Sequence, residues 1–129
     1  MTHSMTNWLL AIAGLGCLTA AVVHSTIGER VFVQPILAKM DWSGFRSEVF
    51  ARRVVRLAWH VTSVTWLGFA VILLAPVLGA KGPAAAYWAA TATFGIAFLM
   101  TGYGTDWKHL GWPVFAIVTA ALIGALAIG

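Results

Sequence analysis

Charged residues are scarce in this chain of 129 residues. They make up 9% of the sequence, whereas hydrophobic residues make up 60%, and an ordinary soluble domain carries about 25% charged residues. A soluble domain of this length leaves much of its surface in water and needs polar side chains to cover it. The composition therefore excludes an ordinary soluble domain and predicts that lipid solvates most of the apolar surface.

Cysteine is almost absent, because Cys17 is the single one. An internal disulfide and a metal site built on a CxxC pair are therefore excluded. The segment before the first apolar stretch also lacks lysine and arginine, since only His3 precedes Trp8 among the basic residues. A cleaved signal peptide normally begins with such a basic segment. We therefore expect the first apolar stretch to be retained as a helix.

The sequence contains four long apolar stretches that have no lysine, arginine, aspartate or glutamate. They cover residues 8–23, 57–80, 82–105 and 110–129. Each has about the length that a helix needs to cross the hydrocarbon of a bilayer, roughly 17–25 residues. None alternates as a barrel strand does. Because lipid cannot satisfy backbone N–H and C=O groups, helices are the expected form.

We predict one all-α domain over residues 1–129, an integral membrane four-helix bundle with antiparallel up-down topology. The predicted helices cover about residues 8–26, 54–78, 84–103 and 111–128. Tight turns rich in glycine and proline, such as residues 79–83, favour antiparallel neighbours. The connection over about residues 28–53 is predicted to be an amphipathic interfacial segment.

That interfacial segment mixes apolar and basic side chains at helical spacing. The apolar members are Phe45, Val49 and Phe50, and the basic ones are Arg46, Arg52 and Arg53. Such a segment lies in the headgroup plane with its apolar face towards the hydrocarbon and its basic face towards acidic lipid. Asp41 or Ser43 is the expected N-cap of its short helix.

Basic residues are concentrated at one end of the predicted bundle. That end holds Arg30, Lys39, Arg46, Arg52, Arg53, Arg56 and Lys108. The other end holds Lys81 and the amino terminus. Because cytoplasmic loops carry the excess of lysine and arginine, we predict both termini on the periplasmic side. The sequence pI of about 9.9 then reflects topology and lipid headgroups, and no nucleic acid partner is expected.

Small residues predict the helix faces that pack together, because they let two backbones approach closely in lipid. The predicted faces are Ala13, Gly16, Cys17, Ala20 and His24 in the first helix; Arg56, His60, Ser63 and Leu67 in the second; Thr91 and Gly95 in the third; and Ala116, Ala120 and Gly124 in the fourth. Two of these faces carry a histidine at the basic end.

Three histidines and two carboxylates are expected at the basic end, namely His24, His60, His109, Glu29 and Asp106. An ionisable group at the centre of a bilayer costs roughly 2.5–3.5 kcal/mol and so is usually paired. Imidazoles with a carboxylate are ligands of transition metals. One hypothesis is therefore a metal site formed by His24, Glu29, His60 and His109. Another is haem b held by His24 and His60 from facing helices.

A simpler interpretation is a structural polar network at the helix ends. Its further members would be Ser25, Arg30, Arg56, Tyr103 and Asp106. The sequence has no His-x-x-x-His, Glu-x-x-His or CxxC motif, and a cluster without such a motif is weak evidence for a metal. A nucleophile set of Ser25, His60 and Asp106 can be written down, but nothing in the sequence fixes its geometry. No catalytic residue is therefore assigned.

Three short motifs resemble one family. His24-Ser25-x-x-Gly28-Glu29 is similar to the His-Ser-x-x-Gly-Glu signature that follows the first helix in small uncharacterised bacterial integral membrane proteins. The stretch 56–62, with Trp66, resembles the second-helix pattern of that family, and the stretch 108–113 is similar to its entry into the last helix. The resemblance implies a four-helix, multi-pass protein of the bacterial inner (plasma) membrane, and it implies no established activity.

Together these patterns favour a non-catalytic accessory or assembly subunit of a larger membrane complex, such as a respiratory or photosynthetic one. The expected partners are the lipid bilayer and either other membrane subunits or further copies of the chain. A metal- or haem-binding membrane protein is the first alternative. A membrane-embedded enzyme of unknown reaction is the second.

Overall fold

The computed structural model describes residues 2–128, with side chains from Met5 onward. Its helices are α1 (Thr2–Val23), a π-helical segment (His24–Val33), α2 (Gln34–Lys39), α3 (Glu48–Val77), α4 (Ala84–Gly104) and α5 (Gly111–Ile128). The all-α prediction is confirmed, since the described residues form no strand. Four continuous helices are long and apolar enough to cross a membrane, and the first of them runs over Met5–Lys39.

The first two of these helices are longer than the sequence predicted. The first continues through the π-helical segment to Lys39, and α3 begins at Glu48, which leaves only residues 40–47 as a loop. The predicted ends were placed where charged residues begin. Arginine and lysine can extend their head groups towards water while their backbone stays helical, so the charges do not end the helices.

Ser47, and neither Asp41 nor Ser43, caps the second long helix. Its backbone is extended, with φ −144° and ψ 109°, and its hydroxyl accepts a hydrogen bond from the Phe50 N–H at 3.3 Å. In the loop, the Ser43 N–H donates to Asp41 Oδ1 at 2.9 Å. That hydrogen bond, assisted by the Ser43 hydroxyl, lowers the pKa of the Asp41 carboxyl. The expected cap was wrong because α3 starts later than Ser43.

A small apolar core forms where the end of the first long helix meets the start of α3. Its buried members are Val33, Leu37, Trp42 and Ala51, with Trp59 partly buried against them. The Trp42 indole N–H donates to the Leu37 carbonyl at 3.1 Å, and the Arg52 guanidinium lies 5.0 Å from the ring centre. Trp42 therefore belongs to this core. A buried indole is tolerated because its N–H has a partner.

Close backbone contacts join α1 to α3, α3 to α4 and α4 to α5. On the first long helix the packed residues include Gly14 of α1, whose Cβ position lies 2.6 Å from Leu74, and Gly28 of the π-helical segment, whose Cβ position lies 2.7 Å from Trp59. Ala21 between them is buried. The predicted face was partly wrong, because Gly16 has open space around it. The face that packs is rotated from the predicted one.

The other helices follow the predicted faces only in part. Gly68 of α3 lies so close to Thr93 of α4 that a side chain there would collide with it, and Gly95 faces Thr119 of α5. In contrast, α5 has no buried residue within the described chain. Its small residues Ala120 and Gly124 are not covered, since Ala120 is exposed and a Cβ at Gly124 would meet nothing within 4 Å.

The connection between α4 and α5 has two consecutive left-handed residues, Asp106 (φ 52°) and Trp107 (φ 61°). Such a conformation costs a residue with a side chain roughly 1–2 kcal/mol. Two contacts offset that cost. Asp106 Oδ2 accepts a hydrogen bond from Arg53 at 2.7 Å, and the Trp107 N–H donates to the Gly102 carbonyl at 2.7 Å. The connection is thereby fixed against the start of α3.

Candidate functional site

A polar cluster links the π-helical segment to α3. Its members are Ser25, Glu29, Arg56, His60 and Ser63. On α3 the three members are spaced by four and three residues, so they share one face of the helix. The other two come from a π-helix, a geometry that is rare overall and frequent at functional sites. The polar cluster is therefore the candidate site.

Glu29 lies at the centre of the polar cluster. One carboxylate oxygen pairs with Arg56 Nε at 2.9 Å, and the other lies 3.4 Å from His60 Nε2. The Glu29 side chain is 16% exposed, whereas that of Arg56 is 50% exposed. The Glu29 carboxylate therefore loses most of its hydration on folding. Contacts with Arg56 and His60 take the place of the lost water contacts.

Two serines extend the polar cluster towards the bundle interior. Ser25 Oγ lies 3.0 Å from His60 Nδ1 and forms a 2.8 Å hydrogen bond with Ser63 Oγ. Ser63 is buried, with 4% of its surface exposed. The imidazole thus has a hydroxyl on one side and a carboxylate on the other. The hydroxyl contact lies within hydrogen-bond distance, whereas the carboxylate lies only within ion-pair distance.

His24 lies beside the polar cluster in an aromatic environment. Its ring is stacked on Trp59, with centroids 3.9 Å apart and planes within 7°. Trp66 meets the same ring edge-on at 4.8 Å. The Trp59 indole N–H donates to the His24 carbonyl at 2.9 Å. The Trp59 ring can occupy this position because residue 28 is glycine.

Two atoms in this region are buried without a hydrogen-bond partner, namely His24 Nε2 and Glu29 Oε2. The carboxylate oxygen is close enough to His60 for an ion pair, but the two groups are not aligned as a hydrogen bond. Buried side-chain atoms of this kind usually have a partner. Two hydrogen-bonding positions in this region are therefore left unsatisfied within the described chain.

His109 lies outside the polar cluster. Its N–H donates to Thr105 Oγ1 at 3.2 Å, and its ring Nδ1 accepts from the Gly111 N–H at 3.0 Å. His109 thus caps the start of α5. In the described part of the chain no three histidine, cysteine, aspartate or glutamate side chains come together as ligands of one metal ion. The proposed four-residue set of His24, Glu29, His60 and His109 is not assembled.

Three residues expected in the polar network also lie elsewhere. Asp106 pairs with Arg53 at 2.7 Å, Tyr103 is 69% exposed, and Arg30 is exposed. Of the expected network, Ser25 and Arg56 do join Glu29 and His60. Because Asp106 is paired with Arg53, it does not join Ser25 and His60 as the acid of the nucleophile set that the sequence allowed.

A haem held by His24 and His60 would have to displace contacts that both rings already make. The His24 ring is flanked by Trp59 and Trp66, and both nitrogens of His60 face side chains of the π-helical segment. Two axial ligands must approach one iron from opposite faces of a flat macrocycle. The aromatic contacts occupy the positions that such a macrocycle would need.

The series Ser25–His60–Glu29 has the side-chain types of a nucleophile triad, with Glu29 where the sequence suggested Asp106. Acyl transfer also needs preorganised donors for an oxyanion, commonly free backbone N–H groups. Ser25 lies inside a continuous helix, whose N–H groups are used in helical hydrogen bonds. The arrangement links the π-helical segment to α3 through the Ser25–His60 and Glu29–Arg56 contacts, and it can hold the two helices together.

Two features of the site are missed by sequence reasoning. Trp59 and Gly28 appear there only as parts of the two motifs that contain them. The sequence does contain a signal for the contact between Trp59 and Gly28. Gly28 follows His24 by four residues and so lies on the same helix face, and Trp59 precedes His60 on the neighbouring helix. This signal becomes informative only when the register of the two helices is known.

Comparison of the chain with protein families, with curated proteins and with solved structures finds no match.

Proposed function

We propose that this chain is a non-catalytic integral membrane protein that serves as an accessory or assembly subunit of a larger membrane complex. The observation that carries this proposal is the uncovered small-residue surface of α5. That helix has no buried residue in the described chain, and Gly124 has open space around it. In lipid, helices associate through small residues that permit close approach. A neighbouring subunit is therefore the occupant that this surface fits.

The helices of the proposed protein cross the membrane in alternating directions. On the first two helices, Gly14 lies against Leu74, and Gly28 lies against Trp59. Residue numbers therefore rise along one helix while they fall along the other. On the last two, Phe94 lies against Phe115, and Phe98 lies against Trp112. These contacts support antiparallel neighbours.

The basic end of the proposed bundle faces the cytoplasm, and both termini face the periplasm of a bacterial inner membrane. The loop before α3 and its first turn carry exposed apolar residues, Phe45 (53% exposed) and Val49 (62% exposed), beside Arg46. Exposed aromatic and basic residues together are typical of a membrane interface. This part of the chain is the proposed interfacial segment.

The polar cluster serves, in this proposal, to hold the first two helices together. Its serines, carboxylate and guanidinium contact one another across the helix pair. Polar contacts across membrane helices contribute about 0.6 kcal/mol on average and up to about 2 kcal/mol. The helix pair is joined to α5 through α4, so α5 remains available to bind a partner.

Substitution of Gly124 by leucine is expected to reduce co-purification with partner subunits about tenfold, because the added side chain prevents close helix approach. The measurement is mild-detergent extraction of the tagged full chain, followed by mass spectrometry of the accompanying proteins. Gly16→Leu is the matched control, since Gly16 also has open space but lies on α1. A wild-type chain that runs alone after mild extraction contradicts the proposal.

The same purified sample separates this proposal from the metal- or haem-binding alternative. Absorption spectroscopy and metal analysis are applied to the wild type and to His60→Ala. Stoichiometric metal, or a Soret band, that the substitution removes would replace the accessory role by a cofactor site. His109→Ala is the control, because His109 lies outside the polar cluster.

A further inference from the structure

Three cavities lie in series along α3, on the side that faces α4 and α5. The first, of about 890 Å³, is at the basic end. The second, of about 260 Å³, shares Val54 and His109 with the first. The third, of about 250 Å³, shares Val61 and Phe115 with the second. The shared residues make the three cavities one groove, which we call the α3 groove.

The wide end of the α3 groove is cationic. It is lined by Arg46, Arg53 and Lys108, with Asp106 as the carboxylate among its lining residues. Asp106 is already paired with Arg53 at 2.7 Å. Within the described chain, the ion pairs involve neither Arg46 nor Lys108. Two unpaired cationic side chains therefore remain at this end for an anion.

The narrow part of the α3 groove is apolar. The second cavity is lined mainly by aliphatic and aromatic side chains, including Leu57, Val61 and Phe115. The third continues past Phe69 to Ile72. From Val54 to Ile72 the helix rises roughly 27 Å at 1.5 Å per residue, which is close to the hydrocarbon thickness of about 30 Å. The apolar part is thus long enough to extend through most of the hydrocarbon.

We propose that the α3 groove binds one anionic phospholipid, with its phosphate between Arg46 and Lys108 and one acyl chain along Val61 and Phe115. Cationic residues at an interface attract anionic headgroups. An apolar slot directly beneath them suits a hydrocarbon chain. A partner helix fits less well, because bulky side chains such as Phe69 and Phe115 keep a second backbone at a distance. The proposal is independent of the accessory role.

The test compares two phospholipids with identical acyl chains, phosphatidylglycerol and phosphatidylcholine, added to the full-length chain in mild detergent. Native mass spectrometry measures the lipid retained per protein. We expect phosphatidylglycerol to be retained in preference to phosphatidylcholine. Arg46→Gln with Lys108→Gln is expected to weaken retention roughly 30-fold, because each basic side chain near an anionic surface contributes about 1 kcal/mol. Both residues are exposed, and circular dichroism verifies that the variant is folded.

The matched control removes two other positive charges, with Arg30→Gln and Lys81→Gln, which do not line the groove. It should retain phosphatidylglycerol as the wild type does. Ala58→Phe, which fills the second cavity, should weaken binding of a long-chain phosphatidylglycerol and leave a six-carbon analogue unaffected. Equal retention of the two headgroups, an equal loss in the control, displacement by inorganic phosphate, or a second copy of the chain in the groove would overturn the proposal.

Discussion

Gly28→Ala is expected to destabilise the folded chain by about 2 kcal/mol, because an added methyl group would overlap the Trp59 ring. The Cβ position lies 2.7 Å from Trp59 Cζ2. The indole cannot move aside freely, since its N–H donates to the His24 carbonyl at 2.9 Å and its ring is stacked on the His24 ring. In a helix interior, alanine is favoured over glycine by at most about 1 kcal/mol. The clash therefore outweighs the gain in helix propensity.

Gly16→Ala is the matched control, and its expected sign is opposite. A Cβ at Gly16 meets nothing within 4 Å, so only the propensity term remains, and stability should rise by up to about 1 kcal/mol. Thermal unfolding in mild detergent, followed by circular dichroism, measures both variants. If Gly28→Ala unfolds at or above the wild-type temperature, the described packing of the first two long helices is wrong.

Glu29→Gln is expected to lower stability by about 1–3 kcal/mol, the usual cost of removing one partner from a largely buried charged pair. The neutral amide keeps the shape of the carboxylate but removes the charge that faces Arg56 at 2.9 Å and His60 at 3.4 Å. Adding Arg56→Gln to this variant should cost little more, since the pair is already broken. Unfolding of the single and double variants in the same detergent measures the coupling.

Glu48→Gln is the control for that experiment. Glu48 pairs with Arg52 at 2.7 Å, but its side chain is 56% exposed, and exposed pairs of this spacing contribute about 0.3–0.5 kcal/mol. A smaller loss is therefore expected for Glu48→Gln than for Glu29→Gln. Equal losses would mean that burial of Glu29 does not matter, and the polar cluster would then not hold the helix pair.

Much of the fold follows from the distribution of charge along the sequence. The charge-free stretch at the carboxyl end predicts α5 with its bounds as found, Gly111–Ile128. The same criterion misplaces the end of the first long helix, which continues to Lys39. Charged residues indicate where side chains reach water. The backbone can remain helical beyond that point, so charged residues do not locate the end of a helix.

The candidate site is predictable where it depends on spacing within one helix. Arg56, His60 and Ser63 recur at spacings of four and three, and all three do face the π-helical segment. Contacts that depend on register between helices are not predictable in this way. His109 shows this, because the left-handed turn at Asp106 and Trp107 places it at the start of α5 and away from His60.

We propose that the four long helices cross a bilayer alternately and bring their basic ends to one surface. Accessibility of single cysteines tests it most directly. Cys17→Ala removes the native thiol, and Ser43→Cys, Lys81→Cys and Lys108→Cys each introduce one at an exposed position. The variants are treated with a membrane-impermeant maleimide, before and after permeabilisation of the inner membrane.

We expect the cysteine at position 81 to react in intact spheroplasts, and those at positions 43 and 108 to react only after permeabilisation. This pattern places the loop before α3 and the α4–α5 connection in the cytoplasm. Reaction of positions 43 and 108 from opposite sides would contradict it, because Arg53 and Asp106 could not then form their 2.7 Å ion pair.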